Sequence, residues 1–303
     1  MLYLVLATLC SVSIILFLRF SEGINLNRYA VTSANYLTAS AITLFLVIKS
    51  GVFLSPEGLK SFFSESGNVF MNSRIFSELA STWWALFLGV VAGSFFFLAF
   101  IYYQKSLKEN GVAVTGVIGK LSVVVLPPLL AMVLWLEIPD VVRVVGMVFA
   151  VISIILSGRS TERIRWKPGI TVTLFFIFSG GAEFFNKLFQ KYAVLSVRPL
   201  FLFSVFFSAF LISIPFIMKR GKPKGIEIGI GFAVGVPNLF SSFFLISALN
   251  SIPASVAFPL YGIGSLVLIS IGGMLFFNEF LDKKGWLMMV SAVVSITLLS
   301  GGI

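Results

Sequence analysis

The chain has 303 residues, of which 58% are hydrophobic and 11% charged, and its mean hydropathy is +1.04. Soluble domains carry about 25% charged residues, so this composition excludes an ordinary water-soluble fold and indicates an all-α integral membrane protein. The net charge of +10 comes from short basic clusters between apolar runs, as in loops beside an anionic membrane, which argues against a nucleic-acid partner. With one cysteine, Cys10, and no histidine, we expect no intrachain disulfide, metal or cofactor.

Ten apolar segments approach the roughly 20 residues that a helix needs to span a bilayer. The first lacks the basic start and the small-residue cleavage site of a signal peptide, so we expect it to be a retained spanning helix. The long connection 50–81 carries paired aromatics, and we expect either short amphipathic turns on the membrane interface or a flexible linker. The predicted helices are 2–20, 29–49, 82–104, 111–135, 140–158, 169–188, 199–218, 225–248, 254–277 and 285–302.

The two halves of the sequence resemble each other. The first helix of each half aligns with a shift of about 168 residues, and the helices after the long connection align with a shift of 142. The difference reflects the long connection after the second helix. The 142-residue shift aligns Gly89 and Gly93 with Gly231 and Gly235, and Glu137 with Glu279. For the glycines we expect close helix packing rather than substrate contact, and for the two glutamates a structural role at helix ends.

The repeat predicts one half at 1–158 and another at 169–303, joined by a basic loop at 159–168. Because five is an odd number of helices, the second half must start from the opposite membrane face. This predicts a five-plus-five inverted repeat, a common plan of secondary transporters. Fourteen Lys and Arg residues fall in odd-numbered connections and seven in even-numbered ones, which places both termini outside by the positive-inside rule.

The ends of the two halves carry related motifs. They are Gly111-Val-Ala-Val-Thr, Lys120-Leu-Ser-Val-Val-Val-Leu-Pro-Pro128 and Leu136-Glu137 in the first half, and Pro253-Ala-Ser-Val-Ala-Phe-Pro259 and Phe277-Asn-Glu279 before Trp286 in the second. This pattern resembles the EamA-type transporters of the drug/metabolite transporter superfamily. The resemblance implies ten helices around a central cavity, transport without ATP, and cytoplasmic termini, opposite to the charge pattern. We expect a multi-pass protein of the cytoplasmic (inner) membrane, with a homodimer left open.

Lys120 is the most informative single residue. It lies nine residues into the fourth predicted helix, about 14 Å from its end and near the middle of a roughly 30 Å apolar core. A midplane lysine costs about 2.5–3.5 kcal/mol on insertion scales, so such residues usually face a cavity or a partner. We expect a cationic anchor for an anionic group of the substrate. The alternative is a structural ion pair with Glu183.

Glu183, in the sixth predicted helix, is the one acidic residue that we place well inside a span. It is a candidate for coupling transport to protons, because desolvation favours the protonated form of a carboxyl group. The alternative, which we favour, is an ion pair with Lys187, four residues later on the same face of the helix.

Polar residues near proline-containing stretches are further candidates for contacting a substrate. Prolines lie in the fourth, eighth and ninth predicted helices, and breaks at matching places of two repeats are typical of transporter binding sites. Prolines also bend helices for packing reasons, and tyrosines also form interfacial belts, so packing is the alternative for each residue. The candidates are Ser122, Asn35, Tyr36, Asn238, Ser241 and Tyr261.

The predicted function is secondary transport of small metabolites by alternating access, since the sequence lacks the G-x-x-x-x-G-K-[ST] phosphate loop. The lone midplane cation favours anionic or zwitterionic substrates such as organic acids or amino acids, with a proton or another ion as coupling partner. An exporter of drugs or other amphipathic toxic compounds is the alternative. A lipid-modifying enzyme would need acid–base or metal groups that the spans lack, so we expect no enzyme. A non-transporting receptor is a third class.

Overall fold

The computed structural model describes residues 1–20, 26–157, 169–219, 223–277 and 281–301. In these ranges all regular structure is helical, and eight helices are long and apolar enough to cross a membrane. Two shorter apolar helices, Leu2–Leu18 and Val141–Ser157, accompany them. The chain is therefore an all-α, multi-pass membrane protein in its described part. The basic loop predicted at 159–168 and Glu279 lie outside the described residues.

The helices are α1 (Leu2–Phe20), α2 (Arg28–Ser50), α3 (Pro56–Met71), α4 (Glu78–Gly111), α5 (Val114–Trp135), α6 (Val141–Ser157), α7 (Ile170–Tyr192), α8 (Arg198–Met218), α9 (Gly225–Leu249), α10 (Ala254–Phe277) and α11 (Lys283–Ser300). A short 3₁₀ turn, Leu195–Val197, precedes α8. Helices α3, α4 and α7 differ most in length from the sequence prediction.

Helix α3 occupies the connection for which we expected short turns or a linker. Ser55 caps it by accepting a hydrogen bond from the Gly58 N–H at 3.0 Å, and Pro56 stands at its start, where no backbone donor is needed. Phe62 packs against Phe76 with ring centroids 5.3 Å apart, which holds the helix against the chain that follows it. The expectation was wrong here: a cap, a proline and an apolar face specify one 16-residue helix.

Helix α4 continues through 105–110, which we had expected to be a loop. It ends at Gly111, whose φ of 79° and ψ of 176° lie in a region that only glycine adopts readily. This residue separates α4 from α5 within one long helical segment, Glu78–Trp135. We had ended the predicted helix at Gln104, where the sequence changes from apolar to polar. The helix continues because no residue before Gly111 breaks its backbone.

Contacts divide the chain into two units, each with segments of both sequence halves. The first comprises Met1–Val12, Leu98–Phe184 and Ala248–Ile303. In this unit α6 packs along α11, and an apolar core joins them to α5 and α10. The Glu137 carboxylate accepts a hydrogen bond from the N–H of Ala254, the first residue of α10, at 3.0 Å, which agrees with the structural role expected for this glutamate.

Two hydrogen bonds join α6 to α11 at positions that the repeat makes equivalent. The Ser153 hydroxyl donates to the Met288 carbonyl at 2.7 Å, and the Ser295 hydroxyl donates to the Gly146 carbonyl at 2.8 Å. The two serines differ by 142 in number, and so do the two acceptors. Each bond is thus the counterpart of the other, with the helices exchanged.

The second unit comprises Ser13–Phe97 and Phe185–Ser247, and α2 packs along α8 in it. Gly89 and Gly93 of α4 lie against the backbone of α8, and Gly231 and Gly235 of α9 lie against the backbone of α2. A Cβ at Gly231 would come within 2.6 Å of the Val31 carbonyl oxygen. The close packing predicted for both glycine pairs is confirmed.

The α2 and α8 residues that touch these glycines also correspond to one another, by a shift close to the 168 residues of the first helices. The α8 residues beside Gly89 and Gly93 follow the α2 residues beside Gly231 and Gly235 by a constant 170 positions. The matched partners are Phe201 with Val31, Ser204 with Ala34, Val205 with Asn35, and Ser208 with Thr38. The second helix of each half therefore packs against the third helix of the other half in the same register.

Candidate functional site

Lys120 and Ser122 lie in the first unit, on α5. Lys120 is half-buried, six residues after the start of the helix at Val114. Ser122 is fully buried, and its hydroxyl donates to the Gly119 carbonyl of the same helix at 2.7 Å. The Ser122 hydroxyl hydrogen is therefore already used in this bond. Lys120 is the ionisable side chain of α5.

Helix α5 contacts α7 with almost no side chain between the two backbones at Gly180. A Cβ on Gly180 would lie 2.5 Å from the Ser122 carbonyl oxygen, so a glycine is required for this approach. The contacts advance together along both helices, from Phe175 with Gly119, through Gly180 with Ser122, to Phe184 with Trp135. The two helices therefore run in the same direction, and residues one turn from the contact can share a face.

Glu183 lies one turn after Gly180 on α7 and is half-buried. Glu183 and Lys120, the two charges that the sequence analysis singled out, belong to the same unit. Lys187, the other partner weighed for Glu183, donates from its Nζ to Gln190 Oε1 at 3.1 Å. Whether Glu183 serves in coupling or in a structural pair stays a prediction.

Tyr261 belongs to the same unit, on α10, and only 7% of it is exposed. The following residue, Gly262, packs so closely on α5 that a Cβ would lie 2.5 Å from Val124 Cγ2. Gly262 is the repeat counterpart of Lys120. The two equivalent positions thus have different surroundings, and the packing of the repeat does not call for a charge at Lys120.

Asn35 and Asn238 meet in the second unit, between α2 and α9. The Asn238 Nδ2 donates to Asn35 Oδ1 at 3.0 Å, beside the contact of Gly235 with α2, and both side chains are half-buried. The repeat counterparts of Asn35 and Asn238 are Val205 and Phe96. The amide pair is therefore a polar feature of the α2–α9 contact, and the corresponding contact of α8 with α4 has apolar residues at these positions.

Tyr36 and Ser241 lie in the second unit as well, and both are buried. The Tyr36 hydroxyl donates weakly to the Phe96 carbonyl at 3.4 Å, and its ring lies 6.4 Å from that of its counterpart, Phe206. Ser241 lies one turn after Pro237 on α9. The structure thus brings together Asn35 and Asn238 in the second unit, and it places Lys120 and Glu183 in the first unit.

Sequence reasoning missed a buried cation, Lys187. It is 4% exposed, and its neighbour Asn186 is 1% exposed. We had placed Lys187 near the end of a helix predicted to stop at 188 and counted it with the charges of the next connection, but α7 continues to Tyr192. The polar residues Gln190 and Lys191 lowered the hydropathy, so the predicted helix stopped before them although both are helical. The alternation of charged residues with buried aromatic residues was the sequence signal that could have shown the longer helix.

The described residues contain no group of three or more His, Cys, Asp or Glu side chains that could hold a metal ion. The charged candidates of the first unit, Lys120 and Glu183, are single groups of opposite sign. Each can pair with an opposite charge of a bound molecule, and the amide pair of the second unit can form hydrogen bonds.

Comparisons with known proteins show the fold but no function. No protein-family model matches the chain. The chain is similar to an uncharacterized protein of Haemophilus influenzae, with 26% identity over 303 residues that cover 97% of this chain and 95% of the relative. A solved structure described only as a crystal structure of a protein matches with a TM-score of 0.69 and 13% identity, over 99% of this chain and 95% of its own. The whole length is thus similar to one solved fold.

Proposed function

We propose that the chain is a secondary transporter of small metabolites, built as ten spanning helices in a five-plus-five inverted repeat of the EamA type. The observation that carries the proposal is the exchange of equivalent contacts between the sequence halves. Ser153 donates to Met288 and Ser295 donates to Gly146, and each residue of one bond aligns with a residue of the other bond. In the same way, Gly93 packs on α8 and Gly235 packs on α2, which are the second helices of the two halves.

These exchanges support two-fold pseudosymmetry within each unit. When two similar segments are related by a two-fold axis, a residue of the first that contacts a site on the second has an equivalent residue in the second that contacts the equivalent site on the first. Two five-helix segments related in this way across a membrane form an inverted repeat, which is the common plan of secondary transporters. The ten spanning segments of this proposal include the short apolar helices α1 and α6.

The positions that depart from the repeat support a binding function. Lys120 stands opposite Gly262 in the alignment, and the Asn35–Asn238 pair stands opposite Val205 and Phe96. Charged and polar groups in a span are costly and are retained mainly for substrate or ion pathways. We therefore assign Lys120 as a cationic anchor for an anionic or zwitterionic substrate, and Glu183 as the coupling candidate.

The experiment measures ligand binding first and flux second. The purified chain is heated with amino acids, organic acids, nucleosides, sugars and cationic drugs, because a ligand of the folded state raises its Tm by mass action. Hits are then tested for uptake into proteoliposomes without ATP, with and without a pH gradient. We expect an anionic or zwitterionic hit, gradient-driven flux, and loss of both in Lys120→Ala but not in Lys60→Ala, a control at an exposed lysine of α3.

Each other outcome selects another function. Stabilisation by cationic drugs alone, with drug flux that ignores Lys120, would favour an exporter of amphipathic toxic compounds. Binding without flux in either direction would remove the transport proposal in favour of a receptor. A fusion reporter at the C-terminus would decide between cytoplasmic and external termini, and fractionation would test the proposed place in the cytoplasmic membrane.

A further inference from the structure

Helix α3 has three faces of different chemistry. Because an α-helix has about 3.6 residues per turn, residues that are three, four or seven positions apart lie on one face. One face is turned towards the protein, one is apolar and one is polar. The protein face, the apolar face and the polar face consist, in this order, of Gly58, Phe62, Glu65 and Val69; of Leu59, Phe63 and Phe70; and of Glu57, Ser64 and Asn68.

The protein face holds α3 against the first turns of α4, within the second unit. Gly58 allows a close approach, since a Cβ there would lie 2.8 Å from the Leu79 carbonyl oxygen. Further along, the ring centroids of Phe62 and Phe87 lie 5.6 Å apart. Helix α3 therefore has a fixed place beside α4, and its other two faces point away from this contact.

The apolar face and the polar face have opposite requirements. Phe63 is 67% exposed and Phe70 is 44% exposed, so the described part of the chain covers the apolar face only in part. The three residues of the polar face are all exposed. Exposed aromatic side chains beside exposed polar ones indicate a helix with one side in an apolar medium and the other in water.

The position of α3 along α4 matches the interfacial layer of a bilayer. Helix α4 has 34 residues and is about 51 Å long, whereas the apolar core of a bilayer is roughly 30 Å thick, so α4 extends beyond the core. Helix α3 contacts α4 from Leu79 to Phe87, in the first turns after Glu78. Between them the Trp83 Nε1 donates to the Ser55 carbonyl at 2.8 Å. A tryptophan with a polar partner is typical of the membrane–water interface.

The apolar face of α3 also continues the lipid-facing side of α4. Phe87 and Val91 lie one turn apart on this spanning helix and are 42% and 47% exposed. Phe62 places α3 beside Phe87, and its ring centroid lies 5.3 Å from that of Phe63. The exposed Phe63 is therefore close to residues that a spanning helix presents to acyl chains, which identifies lipid as the occupant of the apolar face.

We infer that α3 lies in the interfacial layer of the bilayer, with its apolar face docked among the acyl chains below the headgroups and its polar face towards water. This lipid-docking surface is independent of the proposed transport and of any substrate. Because α3 is packed on the first turns of α4, its contact with lipid holds that end of α4 at a fixed depth in the membrane.

The test measures the depth of single positions in the full chain, reconstituted in phosphatidylcholine nanodiscs. Cys10→Ala removes the single cysteine and serves as the parent. Phe63→Cys and Ser64→Cys then introduce neighbouring positions of the apolar and the polar face for a fluorescent label, and Val91→Cys gives a deeper reference on α4. Each variant should keep the Tm of the parent, since all three positions are at least half-exposed. Iodide quenches the label from water, and lipids spin-labelled near the headgroup or near the end of the acyl chain quench it from the bilayer.

We expect the label at position 63 to lie about 5–10 Å deep, with strong quenching by the lipid labelled near the headgroup and little quenching by iodide. Iodide should quench the label at position 64, and the lipid labelled near the end of the acyl chain should quench the label at position 91. Equal quenching by iodide at positions 63 and 64 would place both in water and overturn the inference. Shielding of position 63 from all quenchers would also overturn it, because protein would then cover the apolar face. Loss of that shielding in discs with one copy would identify the cover as a second copy of the chain.

Discussion

Ser153 and Ser295 make the same hydrogen bond in opposite directions between α6 and α11. Ser153 donates to the Met288 carbonyl at 2.7 Å and Ser295 donates to the Gly146 carbonyl at 2.8 Å, with 142 residues between both the donors and the acceptors. Because the acceptors are backbone groups, each bond needs one serine and the correct register of the two helices. A shared register of this kind is expected when two similar segments are related by a two-fold axis.

Removing either serine hydroxyl should have a similar and small effect. Interhelical hydrogen bonds in membrane proteins contribute about 0.6 kcal/mol on average, so we expect Ser153→Ala and Ser295→Ala each to lower the free energy of unfolding by about that amount. Reversible unfolding in mixed micelles would measure it. Ser270→Ala is the control, since Ser270 bonds only the Leu266 carbonyl of its own helix at 2.9 Å. Markedly unequal losses at Ser153 and Ser295 would contradict the equivalence.

Adding a methyl group at the packing glycines should be more damaging. In Gly235→Ala the new Cβ would lie 2.8 Å from the Asn35 carbonyl oxygen and 2.7 Å from Thr38 Cβ, and both belong to α2. We expect a loss of about 1–3 kcal/mol, as in other overpacked contacts, and a similar loss for Gly93→Ala against α8. Gly229→Ala on the same helix as Gly235 meets nothing within 4 Å, so its Tm should stay equal or rise. A neutral Gly235→Ala would show that α2 and α9 are not held at this distance.

Gly111→Ala tests the break between α4 and α5. A Cβ at Gly111 meets no atom within 4 Å, so any effect arises from the backbone, which has φ of 79°. We expect a loss of about 1–3 kcal/mol in the free energy of unfolding, because this conformation is strained for a residue with a side chain. Gly116→Ala, in the regular part of α5 and equally unobstructed, should be neutral or stabilising. Equal stability of the two variants would mean that the break between α4 and α5 does not require a positive φ at position 111.

The amide pair between α2 and α9 separates packing from function. The double variant Asn35→Val with Asn238→Phe gives these positions the residues found at Val205 and Phe96 in the corresponding contact of α8 with α4. Since that contact packs with those residues, we expect the double variant to fold with a Tm close to that of wild type. Flux of the identified substrate should fall at least about tenfold if the amides contact it, as one or two lost hydrogen bonds would cause.

A polar-group deletion on the same helix, beside the pair, controls this result. Thr38→Ala removes a hydroxyl that bonds only the Ala34 carbonyl of its own helix at 2.8 Å, and it should leave flux unchanged. Wild-type flux in the double variant would assign Asn35 and Asn238 a structural role instead.

Hydropathy and spacing predicted much of the fold. The apolar runs located the spanning helices to within a few residues at most ends, since a bilayer requires length and apolarity that a sequence displays directly. The spacing of Gly89 and Gly93, repeated at Gly231 and Gly235, predicted close packing because a small residue every four positions lines one helix face. Lys120 was identified from the sequence because a charged residue within a long apolar run costs free energy when the run spans a membrane.

The sequence by itself determined that this is a helical membrane protein with a few costly polar residues in its spans, and it predicted two similar halves. Only the tertiary structure decided where α4 and α7 end, that Lys187 is buried, and that Asn35 meets Asn238 across 203 positions of sequence. A helix continues until its backbone is broken, as at Gly111, and polar residues alone do not end it. The partner of a polar side chain depends on the register between helices, which packing sets and no local pattern records.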